Sequence, residues 1–218
     1  MRHTETETQT NRRAYLKSVG AVSAAGMVGL SGCAGSGNDA TGTLATEVTD
    51  QPGDIADFES CIVTIAGIWV KPAGDDESGD ADTTETDAAD DGVTEQTEDD
   101  VDQSDGRQYY QFEEAQEADL VELQDGNTKL VDEREMTAQT YEFLQLDVTG
   151  VEGTLDGGEE ATVETPGNAP LQFKEEFEIR EDEMTTFVGD FTPVKRGQTN
   201  RYLLQPVASG TEVRYEGA

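Results

Sequence analysis

The residues of this chain whose type and spacing could do chemistry stand near its head. Cys33 closes the run Leu30-Ser31-Gly32-Cys33, a leucine three positions before a cysteine with small residues between. That pattern predicts a thiol that acts as a nucleophile once, toward a diacylglycerol-type lipid. Upstream, Arg12 and Arg13 in Asn11-Arg12-Arg13-Ala14-Tyr15-Leu16-Lys17 head a weakly apolar stretch from Ser18 to Leu30. A paired arginine before such a stretch predicts export by the twin-arginine route, removal of residues 1–32 as a signal peptide, and Cys33 as the first residue of the mature chain. The stretch carries Gly20, Gly26 and Gly29 and falls short of the roughly 20 apolar residues that cross a bilayer. Stable attachment then rests on the lipid, where each buried CH₂ contributes about 0.8 kcal/mol.

The remainder of the chain is poor in catalytic side chains. Its one histidine, His3, leaves with the signal, which removes Ser-His-Asp and Cys-His hydrolysis, histidine acid/base chemistry and the common zinc sites from the mature protein. Ser36, Ser60, Ser78, Ser104 and Ser209 are the serines left, none of them inside Gly-x-Ser-x-Gly. Cys61, among aliphatic neighbours, reads as a packed thiol, and the single tryptophan, Trp69, reads as a packing residue. Two chemistries need carboxylates alone. A hydrolase could work with a carboxylate pair, although the abundance of acids nominates no particular two. A cation could be held by Asp50, Asp54 and Asp57, which cluster about Pro52-Gly53 and otherwise serve as turn caps. Asp99, Asp100, Asp102 and Asp105-Gly106 do not make a calcium loop: counted from Asp100 the glycine falls at the seventh position and Gln111 at the twelfth. No cofactor is expected.

Charge separates this chain from most. Residues 1–32 hold four basic and two acidic residues, so the mature chain keeps ten bases against forty-six acids, a formal charge of −36. Self-repulsion of that size opposes compaction at physiological ionic strength, where the screening length is about 8 Å, and largely vanishes at molar salt, where it is about 3 Å. The composition therefore predicts a high-salt exterior, as in proteins of extremely halophilic archaea. It also excludes nucleic acid as a partner, since counterion release requires a basic patch.

The elements that would position these residues are strands. After a tether at 33–41, Leu44 to Val48 alternate as a first strand, closed by Thr49-Asp50-Gln51-Pro52-Gly53-Asp54 with Pro-Gly in type II turn positions. In Cys61 to Val70, Cys61, Val63 and Ile65 share a face, and the parity changes at Gly67 so that Ile68 and Val70 join it, which predicts a β-bulge. Pro72 ends this strand. Residues 73–106 hold fifteen acids, no Lys or Arg, and no aliphatic larger than Val93 and Val101; they read as a long disordered acidic loop. Tyr109 to Phe112 form a short strand, and 114–124 one or two helical turns burying Leu120 and Leu123 before Asp125-Gly126-Asn127. Strand alternation follows in Leu144-Leu146-Val148, around the Asp156-Gly157 hairpin, in Leu171 to Ile179, at Phe187 and Phe191, in Leu203 to Val207 and in Val213 to Tyr215. The sum is an all-β fold, expected as a single β-sandwich over 42–216, Greek-key in its connections and immunoglobulin-like or transthyretin-like.

Four stretches together resemble a known family: Val48-Thr49-Asp50-Gln51-Pro52-Gly53-Asp54; Val63-Thr64-Ile65-Ala66-Gly67-Ile68-Trp69-Val70-Lys71-Pro72; Asp119-Leu120-Val121-Glu122-Leu123-Gln124-Asp125-Gly126-Asn127; and Tyr202-Leu203-Leu204-Gln205-Pro206-Val207. Their succession over about 42–208 is similar to the domain of unknown function 4382, a family largely of bacterial and archaeal lipoproteins. The resemblance implies an all-β extracellular domain and transfers no activity. The expectation is a protein anchored to the outer face of the cell membrane by lipid on Cys33, acting as a non-catalytic structural or interaction module, with a protein or surface polymer as unidentified partner. A solute- or cation-binding lipoprotein and a carboxylate-based hydrolase are the alternatives.

Overall fold

The strongest strand of the sequence is longer than its apolar core. In the computed structural model, which describes residues 40–51, 53–74, 93, 96–166 and 171–217, β2 runs over Phe58–Pro72 with Cys61, Val63, Ile65, Ile68 and Val70 buried on one face. The parity change is a bulge: Ile65 and Gly67 register on consecutive partners, Val148 and Asp147, of β5 (Thr140–Leu155), leaving Ala66 extra. Gly67 is required by close approach, because a Cβ there would lie 2.6 Å from the carbonyl oxygen of Tyr110 in β3 (Gln108–Asp119).

The other strands are β1 (Thr41–Thr49), β4 (Lys129–Thr137), β6 (Glu160–Glu164), β7 (Leu171–Phe173), β8 (Phe177–Glu178), β9 (Met184–Lys195), β10 (Arg201–Pro206) and β11 (Glu212–Glu216). They form one hydrogen-bonded path, β3-β2-β5-β6-β10-β9-β1-β4, with β7 and β8 beside β5 and β11 beside β9. The β1–β9 and β6–β10 pairs are parallel and the rest antiparallel. The path curls until its two ends meet through side chains: Lys129 Nζ donates to the carbonyl of Glu117, and the Arg134 guanidinium lies 5.0 Å from the Tyr110 ring centroid and 5.7 Å from that of Phe112. The all-β expectation holds. The Greek-key sandwich is not confirmed, because the strands make a nearly closed, barrel-like sheet and not two separate layers. Bulged strands as long as β2 and β5 bend enough to curl it. Leu44, Val48, Ile65, Ile68, Leu146, Phe187 and Phe191 fill the interior, with Phe177 edge-on to Phe187 and stacked on Tyr141.

Three local readings change. Gly53 has φ −138° and ψ −138°, so it does not occupy the positive-φ position of a type II turn; it precedes a short 3-10 turn, Asp54–Asp57, and its lack of a side chain lets it sit 2.6 Å, Cβ position to Oγ1, from Thr192. Residues 114–119 continue β3 as strand, and only Leu120–Leu123 turn, as a 3-10 turn that buries Leu120 and Leu123 and is capped by Asp119 accepting from the Val121 amide. The third concerns the acidic insertion. Residues 75–92, 94 and 95 lie outside the described residues, but 96–106 are not a disordered loop. Val101 is buried, Val93 is buried and bridges to Val207, and Gln96 sits in a ladder of buried amides. The Gln96 amide donates to Gln205 Oε1 (2.7 Å), Gln96 Nε2 to the Gln172 carbonyl (2.9 Å), and Gln172 Nε2 to Gln145 Oε1 (3.0 Å). Lys71 ties Asp102 to the same face at 3.4 Å. The two valines that stood out as the largest aliphatics of the insertion are thus its anchors, and Gln145, outward-facing by alternation, is covered by them and their neighbours.

Candidate functional site

Among the described residues, the carboxylates nearly sealed from water are Asp50, just past the end of β1, and Asp190 of the neighbouring strand β9. Thr49, the last residue of β1, registers with Asp190 on the parallel strand β9. The Thr49 hydroxyl donates to the carbonyls of Leu123 (3.2 Å) and Asn127 (2.7 Å), and the Asp50 amide reaches Leu123 at 3.4 Å, so the turn carrying Asp125-Gly126 pins the point where the chain leaves β1. Asp50 is 1% exposed and Asp190 is fully buried. Asp190 Oδ1 accepts from the Gln51 amide at 3.0 Å. Among the described residues, both oxygens of Asp50, Oδ2 of Asp190, the Thr192 hydroxyl and Nε2 of Gln205 have no hydrogen-bond partner.

Burial dominates the electrostatics of the pair. It pushes Asp50 up to about 8, a rise tempered by the neighbouring Thr192 hydroxyl and increased by the Asp190 charge, and it pushes Asp190 up to about 7 against the Gln51 amide. Thr192 lies near enough to act on Asp50 electrostatically, although its hydroxyl does not meet hydrogen-bond geometry. Burial of this kind favours the protonated form of each carboxyl group, and closure to solvent does not suit contact with a substrate.

The three aspartates expected to share a cation are not brought together. Asp54 Oδ2 accepts from the Lys195 amide at 2.6 Å, and Asp57 Oδ2 accepts from Lys195 Nζ at 2.8 Å and from the Tyr202 hydroxyl at 2.7 Å. Lys195 and then Tyr202 hold Asp57 below its ordinary value. These two carboxylates meet a lysine, whereas Asp50 is buried without it. Among the described residues no three His, Cys, Asp or Glu side chains are grouped to hold a metal ion. Asp190 escaped sequence reading because the chain separation is long, 139 residues from Gln51; its one signal is an acid set between Phe187 and Phe191 in a strand of buried residue types. Cys61 is a buried free thiol pushed up to about 12 by burial, then by Asp119 and Asp50, so it packs and does not react. Trp69 packs its ring against Tyr109 at 4.6 Å and under Arg107 at 4.9 Å. Cys33, Arg12 and Arg13 lie outside the described residues.

A family model described as a domain of unknown function, DUF4382, matches residues 41–206. The chain belongs to the DUF4382 family. No curated protein and no solved structure matches it. The DUF4382 match runs from the first residue of β1 to the last of β10, so Asp50, Asp190, Thr192 and Gln205 fall inside it and β11 falls beyond it.

Proposed function

We propose that this DUF4382 protein is an exported lipoprotein, held on the outer face of the cell membrane by lipid on Cys33, whose barrel-like domain serves as a non-catalytic structural or interaction module in a high-salt medium. The observation that carries this reading is the pairing of Arg12-Arg13 with Leu30-Ser31-Gly32-Cys33 across a short, glycine-containing apolar stretch. The formal charge of −36 after removal of 1–32 supports the saline exterior and turns away nucleic acid and bare anionic headgroups, so attachment to the membrane depends on the lipid. Full export requires both halves of the signal. Replacing Cys33 with Ser should move the protein from the membrane fraction to the medium and abolish metabolic labelling by lipid precursor. Membrane retention undiminished in the Cys33→Ser protein would overturn the anchoring.

A further inference from the structure

We propose that the seam between β3 and β4 receives an extended segment of a partner polypeptide, one that alternates apolar with basic residues and joins the sheet as a further strand. These two strands end the hydrogen-bonded path: among the described residues β3 pairs with β2 alone and β4 with β1 alone. They run in opposite directions, Lys129 meeting Glu117 at one end of the seam and Arg134 meeting Tyr110 and Phe112 further along, and no ladder joins them. A cleft of about 630 Å³ lies between, lined by both strands. Each strand is bulged there. On β3 the four residues 112–115 stand opposite the single Ala66, and on β4 Val131 is extra, since Leu130 and Asp132 register on the consecutive Glu47 and Thr46. In an antiparallel edge strand every second residue turns its N–H and C=O away from the one neighbour, so the seam presents two rows of backbone groups to whatever enters it.

The side chains of the cleft say which strand fits. Its lining includes the buried Phe112 and Val131 and also Leu130, which at 49% is the most exposed large apolar side chain among the described residues. Glu113, Glu114 and Glu133 line it too, and among the described residues none of the three makes an ion pair. The one base of the lining, Arg134, is taken by Asp132, Nη2 to Oδ1 at 2.8 Å. Carboxylates on a free edge ordinarily keep strands of like charge from pairing. Here they turn away a second copy, which brings the same excess of acid, and admit a strand that sets lysine or arginine across from them. Backbone hydrogen bonds to the edges supply the affinity of such an addition, and alternate apolar side chains against Phe112, Val131 and Leu130 supply its register. The assignment rests on the interaction-module reading of the domain and is independent of lipid on Cys33, so the Cys33→Ser experiment and the one below fail separately.

The test is hydrogen exchange of the full chain in molar NaCl, where diffuse attraction to the acidic surface is screened, with three peptides long enough to span the cleft. One alternates valine and lysine, one alternates valine and glutamate, and the third is the valine–lysine peptide N-methylated at every backbone amide, which has no N–H to give. The valine–lysine peptide should raise the protection of amides within 112–115 and 130–134 by about tenfold or more, and the other two should leave them within about twofold of the free protein. Joint replacement Glu113→Lys, Glu114→Lys and Glu133→Lys, all at exposed positions, should move the preference to the valine–glutamate peptide. No protection by the valine–lysine peptide, protection confined to other strands, equal action of the three peptides, or an unchanged preference in the charge-reversed protein overturns the proposal. Protection of the same amides that grows with protein concentration in the absence of peptide also overturns it, since the occupant would then be a second copy of this chain.

Discussion

Burial gives Asp50 and Asp190 a sign in the pH response that is opposite to that of most acidic side chains. Both are raised from an ordinary value of 3.8, to about 8 and about 7, so over that interval the folded chain binds more protons than the unfolded one. Their effect is least costly below about pH 4, and stability should decline as pH rises toward about 8 and then level off. Thermal midpoints recorded across that range at fixed salt should show the decline, and Asp50→Asn or Asp190→Asn should flatten it. A wild-type midpoint that climbs steadily from acid to neutral would contradict this account. Asp57 acts in the other direction, its contribution present above the ordinary carboxylate value and lost as pH falls through the lowered one, but as an exposed ion pair with Lys195 it carries little weight. Sequence made Asp50 visible as an acid at the end of a strand. It could not supply Asp190, because register between parallel strands far apart in the chain leaves no local pattern.

At the scale of elements, the acidic insertion is two materials under one composition. Its distal part, 96–106, is held by side chains that are individually unremarkable in sequence: Gln145 and Gln172 stand on outward positions of β5 and β7 and would read as solvated. They are buried because Gln96 and Asp102 lie over them, the Asp102 amide donating to Gln172 Oε1 at 2.9 Å. Gln172→Ala would strip the side-chain partners of Gln145 and of the Asp102 backbone while leaving the backbone bonds to Gln96, and each buried polar group left unpaired costs about 1–3 kcal/mol, so a clear fall in the denaturation midpoint is expected. Excising 75–92 should be far milder, since closure cost changes slowly with loop length. If replacement of the whole of 73–106 by a short linker left the midpoint unchanged, the amide ladder would have no stabilising role. Most strands were legible, down to the bulge in β2, because one buried face imposes a period of two that shifts when a residue is added; β4 was not, its buried Val131 and Met136 falling on opposite parities. Layer architecture was not, since alternation reports that a strand has an inner face and not which strand lies beside it. Helical turns over 114–119 failed for a related reason: Phe112 and Ala118 are buried on one strand parity, which a mixed run of Glu, Gln and Ala between them conceals.

For the molecule as a whole, the proposed high-salt setting turns on the arithmetic of charge. Of the ten bases that remain after residues 1–32, Lys71, Arg134, Arg180, Lys195, Arg201 and Arg214 are each paired with an acid already, so they cannot balance the excess further. Lowering NaCl from about 3 M to about 0.1 M lengthens the screening length roughly from under 3 Å to 10 Å and should erase the β-sheet circular dichroism of the soluble Cys33→Ser protein. A thermal midpoint insensitive to salt over that range would remove the halophilic reading. The strand order has a consequence of another kind, for the timing of assembly. Among the described strands β1 is the first to be made, and one of its neighbours, β4, follows only after β2 and β3. Its other neighbour is β9, whose residues Met184 to Asp190 register with Thr43 to Thr49. Until a ribosome has passed that point, one edge of the oldest strand has no mate, and closing the sheet must bring together the most distant parts of the polypeptide. Such nonlocal pairing slows folding and leaves a bare edge open to self-association in the interval.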